Sequence, residues 1–193
     1  MLTYTGIHVA REFGAPSIRD IAVQSMRIAR FSGAGNIWWP IGMHMLLVAD
    51  LVPPELECHG LLHDAAEVSV ADVPKPMKTA DLRELENAVL YRIYRLLGAP
   101  QPTAGQRTEI KKADFRAALA EGALGCSGRG FSDTQTGFYR DNKAEEILLQ
   151  YLKTFKPQEA IDPDGQWAWR YEHRLRAALR RAQSSVSYAV EAA

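Results

Sequence analysis

The chain is poor in cysteine, in net charge and in anything that reads as a β-strand. Its 193 residues include two cysteines, Cys58 and Cys126, which make no CxxC pair and no disulfide framework, so both are expected to be reduced thiols. The 23 basic and 23 acidic residues cancel, and the pI is about 7.0. With no whole-molecule field to gather a long polyanion, a nucleic-acid polymer is not an expected partner. Small anions stay open, because a local cluster of Arg and Lys is enough to bind them. The longest apolar run, near Gly42 to Val52, is too short and too broken to span a bilayer, so no membrane partner is expected. The opening MLTYTGIHVAREFG lacks the charged start and apolar stretch of a signal peptide. The resulting expectation is a soluble protein of the cytoplasm.

What is present is helical periodicity in a chain that is 47% hydrophobic, which suits one domain over residues 1–193. A first helix is expected from Ser17, a good N-cap, to Phe31. A loop at Ser32 to Asn36 precedes a second helix, which opens at Pro40 and stops before Pro53-Pro54. A third starts at Pro54 and carries the chain to His63-Asp64. The prolines of VPKPMK forbid continuous helix there. Asp81 with Glu84 reads as an approximate capping box for a helix from Leu82 to Leu97, closed by Gly98. Further helices are expected from Gln106 to Ala123, from a cap at Asp141 to Phe155, and from Gln166 onward. Gly125 to Gly137 reads as a surface loop, and only Leu2 to Ala10 could be extended. The fold class is all-α, a helical bundle.

The chemistry concentrates in HGLLHDAAEVSVADVPKPMK, His59 to Lys78. An adjacent His63-Asp64 pair after an apolar LL needs partners, since ionisable groups on an apolar helix are costly to bury. A divalent transition metal (Zn, Co or Mn) is one such partner for imidazole and carboxylate. Two residues cannot complete its shell. His44, inside IGMHMLLVADL, and Asp114, inside KKADFRAALAEG, each offer a polar group from an otherwise apolar helix. His59 sits four residues before His63, but this HxxxH lacks the Glu of HExxH, and His59 is read as structural.

The order His44, His63-Asp64, Asp114 resembles the H…HD…D signature of HD-domain phosphohydrolases. Within that superfamily, YTG, IRDIAVQSMRIARFSG, LLHDAAE and DVPKPMK are similar to bacterial 5'-deoxynucleotidases and their phage relatives, including phage dATP triphosphohydrolases. The resemblance covers about residues 2–122; helices within 141–190 are expected to complete the bundle. It implies an HD-domain helical bundle with His44, His63, Asp64 and Asp114 as metal ligands. It also implies a catalytic acid at Glu67, three residues after Asp64, which a continuing helix would place on the same face. Asp72 either binds the sugar hydroxyl or assists proton transfer. Arg30 matches the family's Arg ahead of the first ligand His. A phage origin would place the protein in the host cytoplasm. WPIGMH departs from the SVAEH-like run of relatives, with Met43 in place of Glu, so any hydrogen bonding by that Glu is lost.

Phosphate requires positive groups, and Arg30, Lys78 and Lys111 are the candidates, with Lys111 three residues before Asp114. Phe31, Gly33, Trp38 and Trp39 are candidates for the sugar and base pocket; Gly33 has no side chain with which to sort bases. The expected activity is hydrolysis of 5'-phosphate from a small nucleotide, with a dATP-like triphosphate as the narrow choice. A second ion such as Mg could accompany its phosphates. Rival readings are an alarmone or cyclic-dinucleotide hydrolase, the latter without its GYP motif, and a catalytically silent ligand sensor. A homo-oligomer is expected. The last helix, rich in Arg and Trp, is read as a bundle helix with a solvated basic face rather than a nucleic-acid contact.

Overall fold

The computed structural model describes residues 16–124, 141–155 and 165–191, which form an all-α bundle with no strand among them. The helices are α1 (Ile18–Ser25), α2 (Ile41–Leu51), α3 (Glu57–Leu62), α4 (Glu67–Val70), α5 (Ala80–Leu96), α6 (Ala104–Ala123), α7 (Asn142–Thr154) and α8 (Gln166–Glu191). The expected extended segment Leu2 to Ala10, the loop Gly125 to Gly137 and Cys126 lie outside the described residues.

Helix α2 is the centre of the bundle. Ten of its eleven residues are buried, as expected for a helix that is apolar all round. It packs against α3, α6 and α7, while α8 lies along α1 and α3. Gly60 permits a close approach of α3 to α2: a methyl there would meet Ala49 Cα at 2.8 Å. The C-terminal helices share this core through Leu148, Trp167, Tyr171 and Leu175. Tyr171 Oη donates to the Leu61 carbonyl, satisfying an acceptor at the end of α3. Asp50 of α2 accepts from Tyr151 Oη at 2.6 Å and from Arg174 at 2.6 Å, and Arg174 also donates to Glu57 at 2.7 Å. One guanidinium thus clamps α2, α3 and α8 together.

Several boundaries differ from the sequence reading. Helix α1 ends at Ser25 rather than Phe31, because the chain turns to pair Ala29 with Pro40. Arg30 N donates to Trp39 O at 2.8 Å and Ile41 N to Ile28 O at 3.0 Å. Tertiary pairing therefore wins over helix propensity at this point. The third helix also stops early: His63 to Ala66 form a turn, and Glu67 begins α4. The cap of α5 is Thr79, whose hydroxyl accepts from Leu82 N, so Asp81 is a first-turn residue and not the cap. Helix α6 starts two residues earlier than expected, under a Thr103–Gln106 capping box. The cap at Asp141 and the start at Gln166 are as expected.

Candidate metal centre

His44 projects from the middle of α2, His63 and Asp64 from the turn after α3, and Asp114 from α6. Their ligating atoms converge. His44 Nε2 lies 3.2 Å from His63 Nε2 and 3.1 Å from Asp114 Oδ1. Asp64 Oδ2 lies 3.2 Å from His63 Nε2 and 3.7 Å from His44 Nε2. His44, His63 and Asp114 each offer one atom within 4.8 Å of the others, an arrangement that could hold a metal ion.

The tautomers follow from the other ring nitrogens. His63 Nδ1 lies 2.8 Å from the Gly60 carbonyl, which can only accept, so Nδ1 carries the proton. His44 Nδ1 lies 2.8 Å from Glu121 Oε1, a carboxylate oxygen, and donates likewise. In both neutral rings the Nε2 lone pairs then face each other. Metal-binding histidines are held this way, with the distal N–H given to a carboxylate or a backbone carbonyl.

Glu121 was absent from the sequence reading. It is completely buried and accepts from Trp39 Nε1 and His44 Nδ1 through Oε1 and from Arg30 Nε through Oε2, each at 2.8 Å. Its sequence signal was slight: a lone carboxylate seven residues after Asp114, two turns on and so on the same face of an Ala-rich helix. Met43 is buried in the core, and the carboxylate that supports His44 comes from α6 instead.

Electrostatics favour a cation here. Burial opposes charge on His63, but the Asp64 and Asp114 carboxylates outweigh it and bring its pKa to about 9. His44 is raised as well: burial and Arg30 act against its charge, and Glu121 and Asp114 override them. Burial works against ionised Asp64, yet His63, His44 and Arg30 hold it well below the usual carboxylate range, and Asp114 is lowered by the same imidazoles. Arg30 reaches over both acids, at 3.7 Å from each.

A cavity of about 350 Å³ opens beside this cluster, within the size range of small-ligand sites. Asp64 and Asp114 line it on one side, with Arg30, Phe31, Glu67, Asp72 and Lys78 around them. Glu67 is buried, its Oε1 accepts from Lys78 Nζ at 3.2 Å, and its Oε2 has no partner among the described residues. Burial, together with Asp64 and Asp72, pushes Glu67 up to about 9, with Lys78 acting against them. Lys78 is also held by Glu86 at 2.7 Å. Asp72 Oδ2 accepts from Phe31 N at 2.8 Å, which braces a turn where Phe31 and Ser32 take left-handed φ values of 58° and 53°. Gly33 follows at φ 76°.

Four sequence candidates stand away from this cavity. Trp39 is 1% exposed, packs edge-on against Phe155 and donates to Glu121, so it is a core residue and not a base-stacking platform. Trp38 packs against the core, and Gly33 and Lys111 are exposed; none of the three lines the cavity. His59 stays structural: buried, stacked on Tyr94 and 3.2 Å from its hydroxyl. Cys58 is a free, buried thiol, raised to about 12 by burial and by Glu57. Larger cavities of about 420 and 950 Å³ lie elsewhere, and neither includes the imidazole–carboxylate cluster.

No described helix is long and apolar enough to cross a membrane. No family model matches the chain. Over 100 residues the chain is 33% identical to a protein of Escherichia coli (strain K12) described as "Uncharacterized protein YfdR", a match covering 51% of this chain and 54% of the relative. The chain thus spans about half the length of the curated relative it matches.

Proposed function

We propose that this protein is a metal-dependent phosphohydrolase that removes 5'-phosphate from a nucleotide, with a dATP-like deoxynucleoside triphosphate as the narrow choice of substrate. One observation carries the reading: the ε nitrogens of His44 and His63 face each other at 3.2 Å with both Nδ1 protons committed elsewhere. Two lone pairs at that distance repel unless a cation sits with them. Two imidazoles with Asp64 and Asp114 form a donor set suited to Zn, Co or Mn. When bound, such an ion polarises a phosphoryl oxygen and acidifies water; Mg could accompany the substrate's phosphates. The H…HD…D order supports the same reading by its resemblance to HD-domain phosphohydrolases.

The chain's own residues supply the rest. Glu67 lines the cavity and has one oxygen without a partner among the described residues; in its ionised form, which a bound cation would favour, it would take the proton of the attacking water as that water's oxygen joins phosphorus and the bond to the leaving oxygen breaks. Lys78 fixes Glu67 through its other oxygen and, with Arg30, faces the phosphate oxygens. Asp72 has one oxygen committed to Phe31 N, which leaves the other for a sugar hydroxyl.

The test is a panel of deoxy- and ribonucleotide mono-, di- and triphosphates and an alarmone, with chelator and then with Mn, Co or Zn. Chelator-sensitive release of phosphate, pyrophosphate or tripolyphosphate identifies the bond cut. His63→Ala and Asp64→Ala are expected to lose both bound metal and turnover. Silence on every nucleotide with every metal would replace this reading with that of a ligand sensor.

A further inference from the structure

One acid of α5 is set apart from the others. Asp81 and Glu84 are exposed, whereas Glu86 is largely buried. It lies three, four and seven residues before Val89, Leu90 and Ile93, on the stripe that α5 turns to the core. A carboxylate at such a position is costly unless a cation meets it. Lys78 does so, with its Nζ 2.7 Å from Glu86 Oε1.

Lys78 thus bridges two carboxylates, because the same Nζ donates to Glu67 Oε1 at 3.2 Å. An ammonium carries three donors, so two such contacts leave one N–H for the cavity that Lys78 lines. Glu86 does not line that cavity, yet it makes the shorter of the two contacts. Burial opposes charge on Lys78, and Glu86 and then Glu67 outweigh it and raise its pKa. Lysine is a compact charge on a flexible stem. Held by Glu67 alone, it would be drawn to the oxygens of a bound phosphate and would leave Glu67 without its cation. A second anion, fixed on α5, opposes that swing.

We propose that Glu86 is a positioning residue that anchors Lys78 against Glu67, so that the ammonium supports the Glu67 carboxylate and offers phosphate a single N–H. Its effect on turnover rests on the phosphohydrolase reading, whereas the anchoring belongs to the three side chains alone. Removing the Glu86 charge releases Lys78 toward phosphate and takes a negative charge away from it. Substrate is then bound more tightly while the chemical step slows.

Glu86→Gln and Glu86→Asp in the full chain test this by two readouts. The first needs no activity: brief treatment with acetic anhydride, with acetylation of each lysine followed by mass spectrometry. Lys78 is expected to react at least roughly threefold faster in Glu86→Gln than in the parent, and near the parental rate in Glu86→Asp. Exposed Lys111 is the internal reference. The second readout is turnover of whichever nucleotide the panel identifies. Glu86→Gln should lower KM roughly threefold and kcat about tenfold, a smaller loss than that of Glu67 itself, and Glu86→Asp should restore both. Equal Lys78 reactivity in the parent and Glu86→Gln overturns the proposal, as does a kcat that falls with KM fixed or raised. A parent that hydrolyses no nucleotide, with Lys78 still more reactive in Glu86→Gln, would sink the phosphohydrolase reading and support the anchor.

Discussion

Glu121 and His44 are both fully buried and meet through a 2.8 Å hydrogen bond from the imidazole Nδ1 to the carboxylate Oε1. That bond fixes which nitrogen of His44 faces the metal centre. The same carboxylate anchors Trp39 and Arg30, so α2, α6 and the turn after α1 share one buried anion. Burial acts against its charge, and Arg30 and His44 outweigh the penalty and hold its pKa below the ordinary glutamate value.

Replacing Glu121 should therefore act on metal content before anything else. Glu121→Gln keeps the shape but weakens the selection of the His44 tautomer, and metal affinity is expected to fall about 10–100-fold. Glu121→Ala leaves the Arg30 guanidinium buried without its closest partner and should cost about 3–5 kcal/mol of stability. Metal titration followed by thermal melts separates the two effects. Full metal affinity in Glu121→Gln would remove Glu121 from the support of His44.

Glu67 has the opposite signature. Glu67→Ala should retain bound metal and slow the chemical step by roughly 10²–10⁴-fold, the scale of a lost general base. Elemental analysis of the purified variant is the check, and loss of the metal would contradict the assigned role. Lys111→Ala, on the exposed face of α6, serves as the control and should leave turnover on mono- and triphosphates alike.

Gly60 joins packing to chemistry. Its missing side chain lets α3 approach Ala49, and its carbonyl receives the His63 Nδ1 proton. Gly60→Ala forces a methyl against a backbone atom, for an expected loss of about 1–3 kcal/mol. The displacement of α3 should also weaken metal binding. A variant that melts with the parent and binds metal normally would show that α2 and α3 can separate freely.

His59 predicts part of the acid sensitivity. Burial lowers its pKa below the ordinary 6.5, so the unfolded chain binds its proton more readily than the folded one. Stability is thus lost as pH falls through 6.5 toward the folded-state value, and none of this contribution changes at higher pH. His59→Gln should flatten that limb in melts recorded from pH 8 down to 5. An unaltered slope would assign the acid sensitivity to other groups.

The sequence was enough for the all-helical class, the caps at Ser17 and Asp141, and, with the H…HD…D resemblance, for singling out His44, His63, Asp64 and Asp114, which the bundle brings together. These are properties of local pattern: apolar periodicity, capping chemistry, and ionisable residues set in apolar surroundings. Where a helix stopped because of a distant partner, the pattern misled, as at Ser25, where pairing of Ala29 with Pro40 turns the chain. Trp39 was misplaced for the same reason, since only the packed bundle sets Phe155 and Glu121 against its ring. Only the packed bundle could bring Glu121 under His44, commit both Nδ1 protons and set two imidazole lone pairs against each other. A hydrogen bond between residues 77 positions apart leaves almost no trace in either local sequence. It exists because α2 and α6 are pressed together around a core that excludes water.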